Sequence, residues 1–434
     1  MIPQFLLAAP HSGSGKTTIA RGLMALLAGH GYRVQPFKCG PDYIDTKFHE
    51  AVCGRPSVNL DSFMASPQHL RHLYARYAAG AGICAVEGMM GLYDGYDRDL
   101  GSSADIARQL DLPVVLVVDV RSAAYSTAAL IAGFASFRQA PRLAGVVFNQ
   151  VGSVRHRELL QQVCDDLSVE CLGFLPRSTA LETGSRYLGL DFSEKAESRE
   201  LVRLIDEHIQ WRRLLELTTR PRPQIPAAMP VPAFKGRVAV ARNEESFSFL
   251  YQENLDILGP DITFFNPEQD EPLPEVTDLL YLPGGYPEKH AAALSAACRC
   301  RESIARYVQQ GGRVLAECGG MMYLCREIVC DEGVFPMCGV LPYRITARRE
   351  DRHLSLGYRR FVLEDEGALP RREYRGHEFH YTRFADGLPA SDVTVTDALG
   401  RTVATPVFRK GHLTASYTHL YLGEADMDRL FGQL

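Results

Sequence analysis

Two short segments of the chain hold reactive residue types at spacings that chemistry requires. The first is HSGSGKTT, residues 11–18, between an apolar run and the helical pattern IARGLMALLAGHGY. Gly13, Ser14 and Gly15 let backbone N–H groups turn towards phosphate oxygens, and the following helix adds its dipole. Lys16 reaches the outer phosphates, Thr17 offers a hydroxyl to magnesium, and Thr18 completes the set of ATP-binding candidates. The strict pattern has glycine where this chain has Pro10, which points to a divergent branch of the P-loop fold. The second segment is RVLAECGGMMYL, residues 313–324. A strand over 313–316 runs into Cys318, two glycines and a helix. Such an elbow presents a side chain on a tight bend, and the helix dipole is expected to lower the thiol pKa and make thiolate available. The N–H of Gly319 faces a developing oxyanion, and LPGGYPE offers a second donor at Gly285. His419, in TASYTHLYL, is the candidate base; its pairing with Cys318 is spatial, not local. Taken singly, a buried cysteine and a buried histidine are most often core residues. The double glycine and LPGG together shift the balance to a nucleophile and its base.

Carboxylates flank the phosphate loop. KCGPDYID places Lys38, Asp42 and Asp45 in one loop after the second apolar run, and VEGMMGLYDG places Glu87 and Asp94 after the third, with Asp97 just beyond. In a parallel α/β sheet these loops gather at one edge. Magnesium takes hard oxygen ligands, so Thr17, Asp42 and Glu87 are the metal candidates. The competing reading is that these acids cap helices or pair with surface cations. Asn149 ends the run GVVFN and is a candidate contact for the nucleotide base, or else a turn residue. His377 and His380, in RGHEFHY, are candidates for substrate or structural roles.

The elements that must position these residues follow from the apolar pattern. Strands are predicted over 5–8, 34–37, 83–86, 114–118, 145–148 and 172–175, several of them separated by helical patterns. Fully apolar strands joined by helices form a parallel sheet covered on both faces. The pattern lapses over 218–236, which holds five prolines and is predicted to be an extended linker. A fresh strand opens over 237–241, and segments 359–363 and 402–407 read as mixed or antiparallel strands. The predicted architecture is α/β with two doubly wound domains: a P-loop domain over 1–217, the Pro-rich linker over 218–236, and a second domain over 237–434.

Composition bounds the function. The 434 residues are 46% hydrophobic and 23% charged, ordinary for a globular chain. A net charge of −5 gives no support to a nucleic-acid surface or a polybasic membrane patch. No apolar run approaches the length of a membrane span. Eleven scattered cysteines suit reduced thiols in the cytoplasm, and Cys298 and Cys300 lack a second pair at zinc spacing. Nothing in the residues distinguishes a monomer from a homodimer.

With these motifs in hand, a resemblance is plain. ECGGMMYL, LPGGYPE and ASYTHL resemble the class I glutamine amidotransferase domain, of flavodoxin-like fold, of the cobyrinic-acid/cobyric-acid group. HSGSGKTT, FKCGPDYID, VEGMMGLYDG and GSSADIARQLDLPVVLVVD resemble the dethiobiotin-synthetase-like ATP domain of the same group. The likeness spans nearly the whole chain, and GPDYID with LPGGYPE and GHEFHY is most similar to the cobyrinate a,c-diamide synthases. The resemblance implies that ATP, with Mg2+, activates the a and c acetate carboxylates of a cobyrinate-type tetrapyrrole as acyl phosphates, and that ammonia from glutamine displaces phosphate. It implies Cys318 as nucleophile, His419 as base, Lys38 on the transferring phosphoryl group, and Asp45, Asp94 and Asp97 on the corrinoid side. Most class I domains carry His-x-Glu; here Tyr421 stands where that glutamate would, and Glu378 is the candidate substitute. Hydrogenobyrinate or nickel-sirohydrochlorin as substrate, a cobyric acid synthase activity, and a nucleotide-dependent switch ATPase are the rival readings.

Overall fold

A computed structural model describes residues 1–178, 199–225, 233–363 and 372–431. The chain divides into two compact units, Met1–Met229 and Pro230–Leu434.

The first unit is built on a sheet of β1 (Ile2–Ala8), β2 (Val34–Cys39), β3 (Val58–Leu60), β4 (Ile83–Glu87), β5 (Val114–Asp119), β6 (Leu143–Val151) and β7 (Cys171–Pro176). Their order is β3-β2-β4-β1-β5-β6-β7, and every pair is parallel. Nearly every residue of β1, β2, β4 and β5 is buried, as expected of parallel strands covered on both faces. Ile19, Leu23, Met24 and Leu27 of the helix Lys16–Gly29 pack on Phe5, Leu7, Ile83, Ala85, Val115 and Val117. Register sets the functional edge: Leu7 pairs with Glu87, Lys38 with Glu87, and Asp119 with Asn149. The chain order reverses around β1, and the opening beside its carboxyl end is where such sheets bind ligands.

Part of the predicted linker belongs to this unit. Thr218 ends the helix Trp211–Thr218, and β8 (Thr219–Arg220) pairs antiparallel with Ile2 and Pro3. Residues 226–232 of that segment lie outside the described residues.

The second unit holds β9 (Val238–Ala241), β10 (Ile262–Phe265), β11 (Leu279–Leu282), β12 (Arg313–Glu317), β20 (Val407–Lys410) and β21 (Leu413–Ser416), in the order β10-β9-β11-β12-β21-β20. All pairs are parallel except β20 with β21. Two smaller sheets accompany it. One joins β13 (Glu327–Cys330), β14 (Gly333–Pro336), β15 (Arg344–Thr346) and β18 (Arg383–Phe384). The other joins β16 (Ser355–Leu363), β17 (Arg372–His380), β19 (Val395–Thr396) and β22 (His419–Leu420). The predicted strand over 402–407 is a correction: Thr402 makes an isolated bridge to Thr396, and the strand starts only at Val407. Pro406, which has no N–H for a ladder, precedes it. Among the described residues no helix is long and apolar enough to cross a membrane.

Candidate active site

In the first unit the phosphate loop joins β1 to the helix Lys16–Gly29. Gly15 caps that helix at φ 86°, and a Cβ there would lie 2.2 Å from the Asn149 side-chain nitrogen. Only glycine meets both demands. Asn149 is buried, and its Nδ2 donates to the Ser14 carbonyl at 3.0 Å, so it braces the loop itself. Ser14 Oγ donates to the His11 carbonyl. Lys16 Nζ donates to the Met90 carbonyl at 3.0 Å, which ties the loop to the segment after β4. Burial, and Lys38 nearby, lower the Lys16 ammonium to about 8.

Glu87 is the centre of a buried polar group. Its Oε1 accepts from Thr17 Oγ1 at 2.5 Å and lies 3.0 Å from Lys38 Nζ; its Oε2 meets His49 Nε2 at 2.7 Å. The other ring nitrogen of His49 is 3.1 Å from Ser57 Oγ. Burial alone would raise the Glu87 carboxyl, but Lys38 and His49 outweigh it and hold it well below the ordinary range. Lys38 also contacts Asp45 at 2.6 Å. Burial opposes its charge, yet Asp45, Glu87 and Asp42 raise it above the usual lysine value. Asp42 Oδ1 accepts the N–H groups of Ile44 and Asp45 at 2.8 Å each, capping the helix Asp45–Cys53. Burial and Asp45 raise its carboxyl. Asp45 is buried on Lys38, whereas Asp94 and Asp97 are exposed; Asp94 accepts the Gly91 N–H at 2.9 Å. Thr17 and Glu87 bring two hard oxygens together beside the phosphate loop, with the carboxylate held ionised, and this set suits a divalent cation shared with phosphate oxygens.

In the second unit the sheet brings LPGG, Cys318 and His419 to one edge, because β11 and β21 flank β12. Cys318 takes φ 46° and ψ −108°, a rare conformation for a residue with a side chain, at the head of the helix Gly319–Leu324. A Cβ on Gly320 would lie 2.0 Å from the Leu282 carbonyl, and one on Gly319 would lie 2.8 Å from Pro287 Cδ and 3.0 Å from Gly285 N. The turn therefore fits only with both glycines. His419 lies against Gly284, where a Cβ would fall 2.1 Å from the imidazole Cε1. Gly284 and Gly285 thus touch both the histidine and the cysteine turn.

The thiol corrects the sequence expectation. Burial, with Glu288 close by, pushes Cys318 well above its ordinary value, although the N–H groups of Gly319 and Gly285 hydrogen-bond towards it. A six-residue helix has too small a dipole to offset complete burial. His419 moves the other way: burial and the nearby His377 and His380 lower it to about 3. Burial thus favours the neutral form of both the thiol and the imidazole.

Glu378 is a second correction. Its Oε1 meets Ser355 Oγ at 2.6 Å and His380 Nε2 at 2.8 Å; its Oε2 accepts from Arg359 Nε at 2.7 Å and Thr405 Oγ1 at 2.8 Å. The carboxylate is saturated by these four groups and does not orient His419. On β17 it follows His377, which pairs with His419 in register, so alternation sends the two side chains to opposite faces. His380 stacks on Tyr417 at 3.6 Å. Glu378, His380 and Tyr417, with Arg344, Asp351 and Arg383, line a cleft of 730 Å³.

Sequence reasoning missed His49, Ser57, Glu317 and Tyr281. His49 lies on a helix with no motif to mark it. Glu317 carried a signal, an acid at the end of an apolar strand.

Fold and site together define a two-part amidotransferase. Residues 5–188 match the CobQ/CobB/MinD/ParA nucleotide binding domain family, and residues 237–427 match the CobB/CobQ-like glutamine amidotransferase domain family. Hydrogenobyrinate a,c-diamide synthase of Streptomyces coelicolor is 38% identical, covering 96% of this chain and 94% of its own. The proteins of the same name from Brucella anthropi and Rhodobacter capsulatus are each 40% identical, covering 96% of this chain and 98% of theirs. Among solved structures, chloroplast FtsY from Physcomitrella patens aligns over 41% of this chain and 60% of its own, at 15% identity and a TM-score of 0.32, too low to carry an argument. The chain belongs to the a,c-diamide synthase family. It is an ATP-dependent carbon–nitrogen ligase with glutamine as amido donor, serving cobalamin biosynthesis.

Proposed function

We propose that this ligase amidates the a and c acetate carboxylates of a cobyrinate-type tetrapyrrole through acyl phosphates, with ammonia released from glutamine in the 237–434 domain and ATP and corrinoid bound by the 1–217 domain. The observation that carries the glutaminase half is the convergence of the Gly285 and Gly319 N–H groups on Cys318, with His419 against Gly284. The thiol attacks the glutamine carboxamide as His419 takes its proton, since burial favours the neutral form of each group. Gly285 and Gly319 donate to the resulting oxyanion. His419 returns the proton to the departing ammonia, and water then hydrolyses the thioester to glutamate.

In the other half, a substrate carboxylate oxygen attacks the γ-phosphorus and ADP leaves; ammonia then attacks the acyl carbon and phosphate leaves. The loop Gly13–Thr18, braced by Asn149, cradles the phosphates, and Lys16 and Lys38 stabilise the phosphoryl group in transfer. Thr17, Asp42 and Glu87 would hold Mg2+, which supplies charge neutralisation at the phosphates. Asp45, Asp94 and Asp97 are assigned to the corrinoid side; Asp45 must first leave Lys38 to act there. The cysteines are all free thiols, which supports a cytoplasmic setting.

A second reading is favoured by the names of the relatives: hydrogenobyrinate as the ring. Mass analysis after incubation with ATP, magnesium, glutamine and either cobyrinate or hydrogenobyrinate tests both. Two added amides at acetates are expected; amidation at four positions, or none on either ring, removes the reading.

A further inference from the structure

Glu317 immediately precedes the nucleophile and is buried to 1% exposure at the end of its strand, after the apolar Val314, Leu315 and Ala316. A carboxyl group there is costly unless its oxygens are satisfied. Both are. Oε1 accepts the backbone N–H of Leu420 at 2.8 Å, and Oε2 accepts from the Tyr281 hydroxyl at 2.8 Å. The three residues joined in this way sit beside the three parts of the glutaminase site. Tyr281 lies on β11, three residues before Gly284; Glu317 is next to Cys318; Leu420 is next to His419.

The segment after His419 is held from its other sides as well. Asn254 Nδ2 donates to the Leu420 carbonyl and Asn254 Oδ1 accepts the Leu422 N–H, each at 2.8 Å. Gly376 and His377 of β17 pair with Leu420 and His419. Tyr421, where other class I domains carry the orienting glutamate, instead donates its hydroxyl to Glu253. Of these contacts, only Glu317 ties the histidine segment to the cysteine strand through a side chain. Burial raises the Glu317 carboxyl to about 8, the two hydrogen bonds pulling it only partly back.

We propose that Glu317 is a positioning residue for glutamine hydrolysis: by gripping Leu420 N–H and Tyr281 hydroxyl at once, it sets His419 against Cys318 and the Gly284–Gly285 backbone. It fills, through the main chain, the orienting role that Glu378 and Tyr421 do not fill. The inference rests on the reading of Cys318 and His419 as the glutaminase pair. It requires a hydrogen-bond acceptor at 317, not a negative charge.

The full-length enzyme in three variants tests this: E317L, E317Q and C318A, each assayed with glutamine and with added ammonia. In E317L, glutamine-driven kcat should fall about 100-fold, the scale of a small displacement of catalytic groups, with KM for glutamine little changed and ammonia-driven amidation intact. E317Q should stay within about fivefold of the parent, because an amide can keep both hydrogen bonds. Labelling of Cys318 by a glutamine-like diazoketone should slow in E317L and not in E317Q. Undiminished glutamine use in E317L overturns the proposal. So does a joint loss of glutamine- and ammonia-driven activity, which marks a purely structural role, and so does an E317Q loss equal to that of E317L, which marks a charge effect. C318A separates the two levels: if it still uses glutamine, the glutaminase reading has failed; if it does not while E317L does, only the role of Glu317 has failed.

Discussion

Thr17 and Glu87 stand seventy positions apart in the chain, and their side chains are hydrogen-bonded, Oγ1 to Oε1, at 2.5 Å. The contact follows from the parallel pairing of β1 with β4, which sets Leu7 beside Glu87, and from the loop that carries the chain from β1 back to Thr17. Lys38 and His49 contact the same carboxylate.

Removing the charge at this carboxylate should disable the synthetase half selectively. E87Q is expected to lower amidation about 100-fold with either nitrogen donor, the scale for loss of one transition-state electrostatic group, while glutaminase chemistry at Cys318 persists. H49Q should weaken magnesium–nucleotide binding by about tenfold, as loss of an outer-shell partner does. Product formation from glutamine and from ammonia checks the first, and calorimetric titration with magnesium and a non-hydrolysable ATP analogue checks the second; unchanged magnesium binding in E87Q would remove the metal role from Glu87.

Gly284 has a different use. A methyl group there would fall 2.1 Å from His419 Cε1. G284A should therefore displace the imidazole and cost about 100-fold in glutamine-driven turnover, with ammonia-driven amidation retained. Comparison of the two rates, with a thermal melt to verify folding, is the measurement. Normal glutamine use in G284A would place His419 outside the reaction.

The second unit should be most stable in mildly acidic solution. His377 and His419 are both lowered by burial from 6.5 to about 3, so the unfolded chain binds more protons than the folded one in that interval, and stability falls on acidification. Glu378 is lowered from 4.5 to about 2, burial being outweighed by His380 and Arg359, and acts in the same direction below 4.5. Glu288 and Glu317 are raised by burial from 4.5 to about 7 and about 8, so the folded chain binds more protons there, and stability falls as pH rises through that range. The two histidines and two acids oppose one another between 4.5 and 6.5. The melting temperature should accordingly be level across that window, drop below it through the histidines and Glu378, and drop above it through the acids. Scanning calorimetry from about pH 4 to about pH 9 checks this; E317Q should flatten the alkaline side and, because one acid then faces two histidines, make stability rise with pH between 4.5 and 6.5.

Much of the frame was legible in the sequence, because it rests on local rules. Apolar runs named six strands of the first sheet, and HSGSGKTT announced its loop through glycines whose need is visible in the chain itself, as at Gly15. ECGG and LPGG did the same for the second unit, where Gly320 and Gly284 leave no room for a side chain. Segment 402–407 differs because alternating residues resemble a strand whatever pairs with them, and here there is one bridge at Thr402 before a continuous ladder starts at Val407.

By itself, then, the sequence determined the two α/β units, the phosphate loop, and the cysteine elbow with its glycines, since backbone conformation and close approach are written in residue type. Only the tertiary structure decided which polar groups meet: that Glu87 gathers Thr17, Lys38 and His49, that Glu378 is consumed by Arg359, His380, Ser355 and Thr405, and that Glu317 grips Leu420. It also decided the state of the thiol. A helix start in the sequence suggests a lowered pKa, but the cost of complete burial depends on everything packed around Cys318 and wins. Charge and desolvation are summed over neighbours in space, and those neighbours come from strands that only the folded sheet brings side by side.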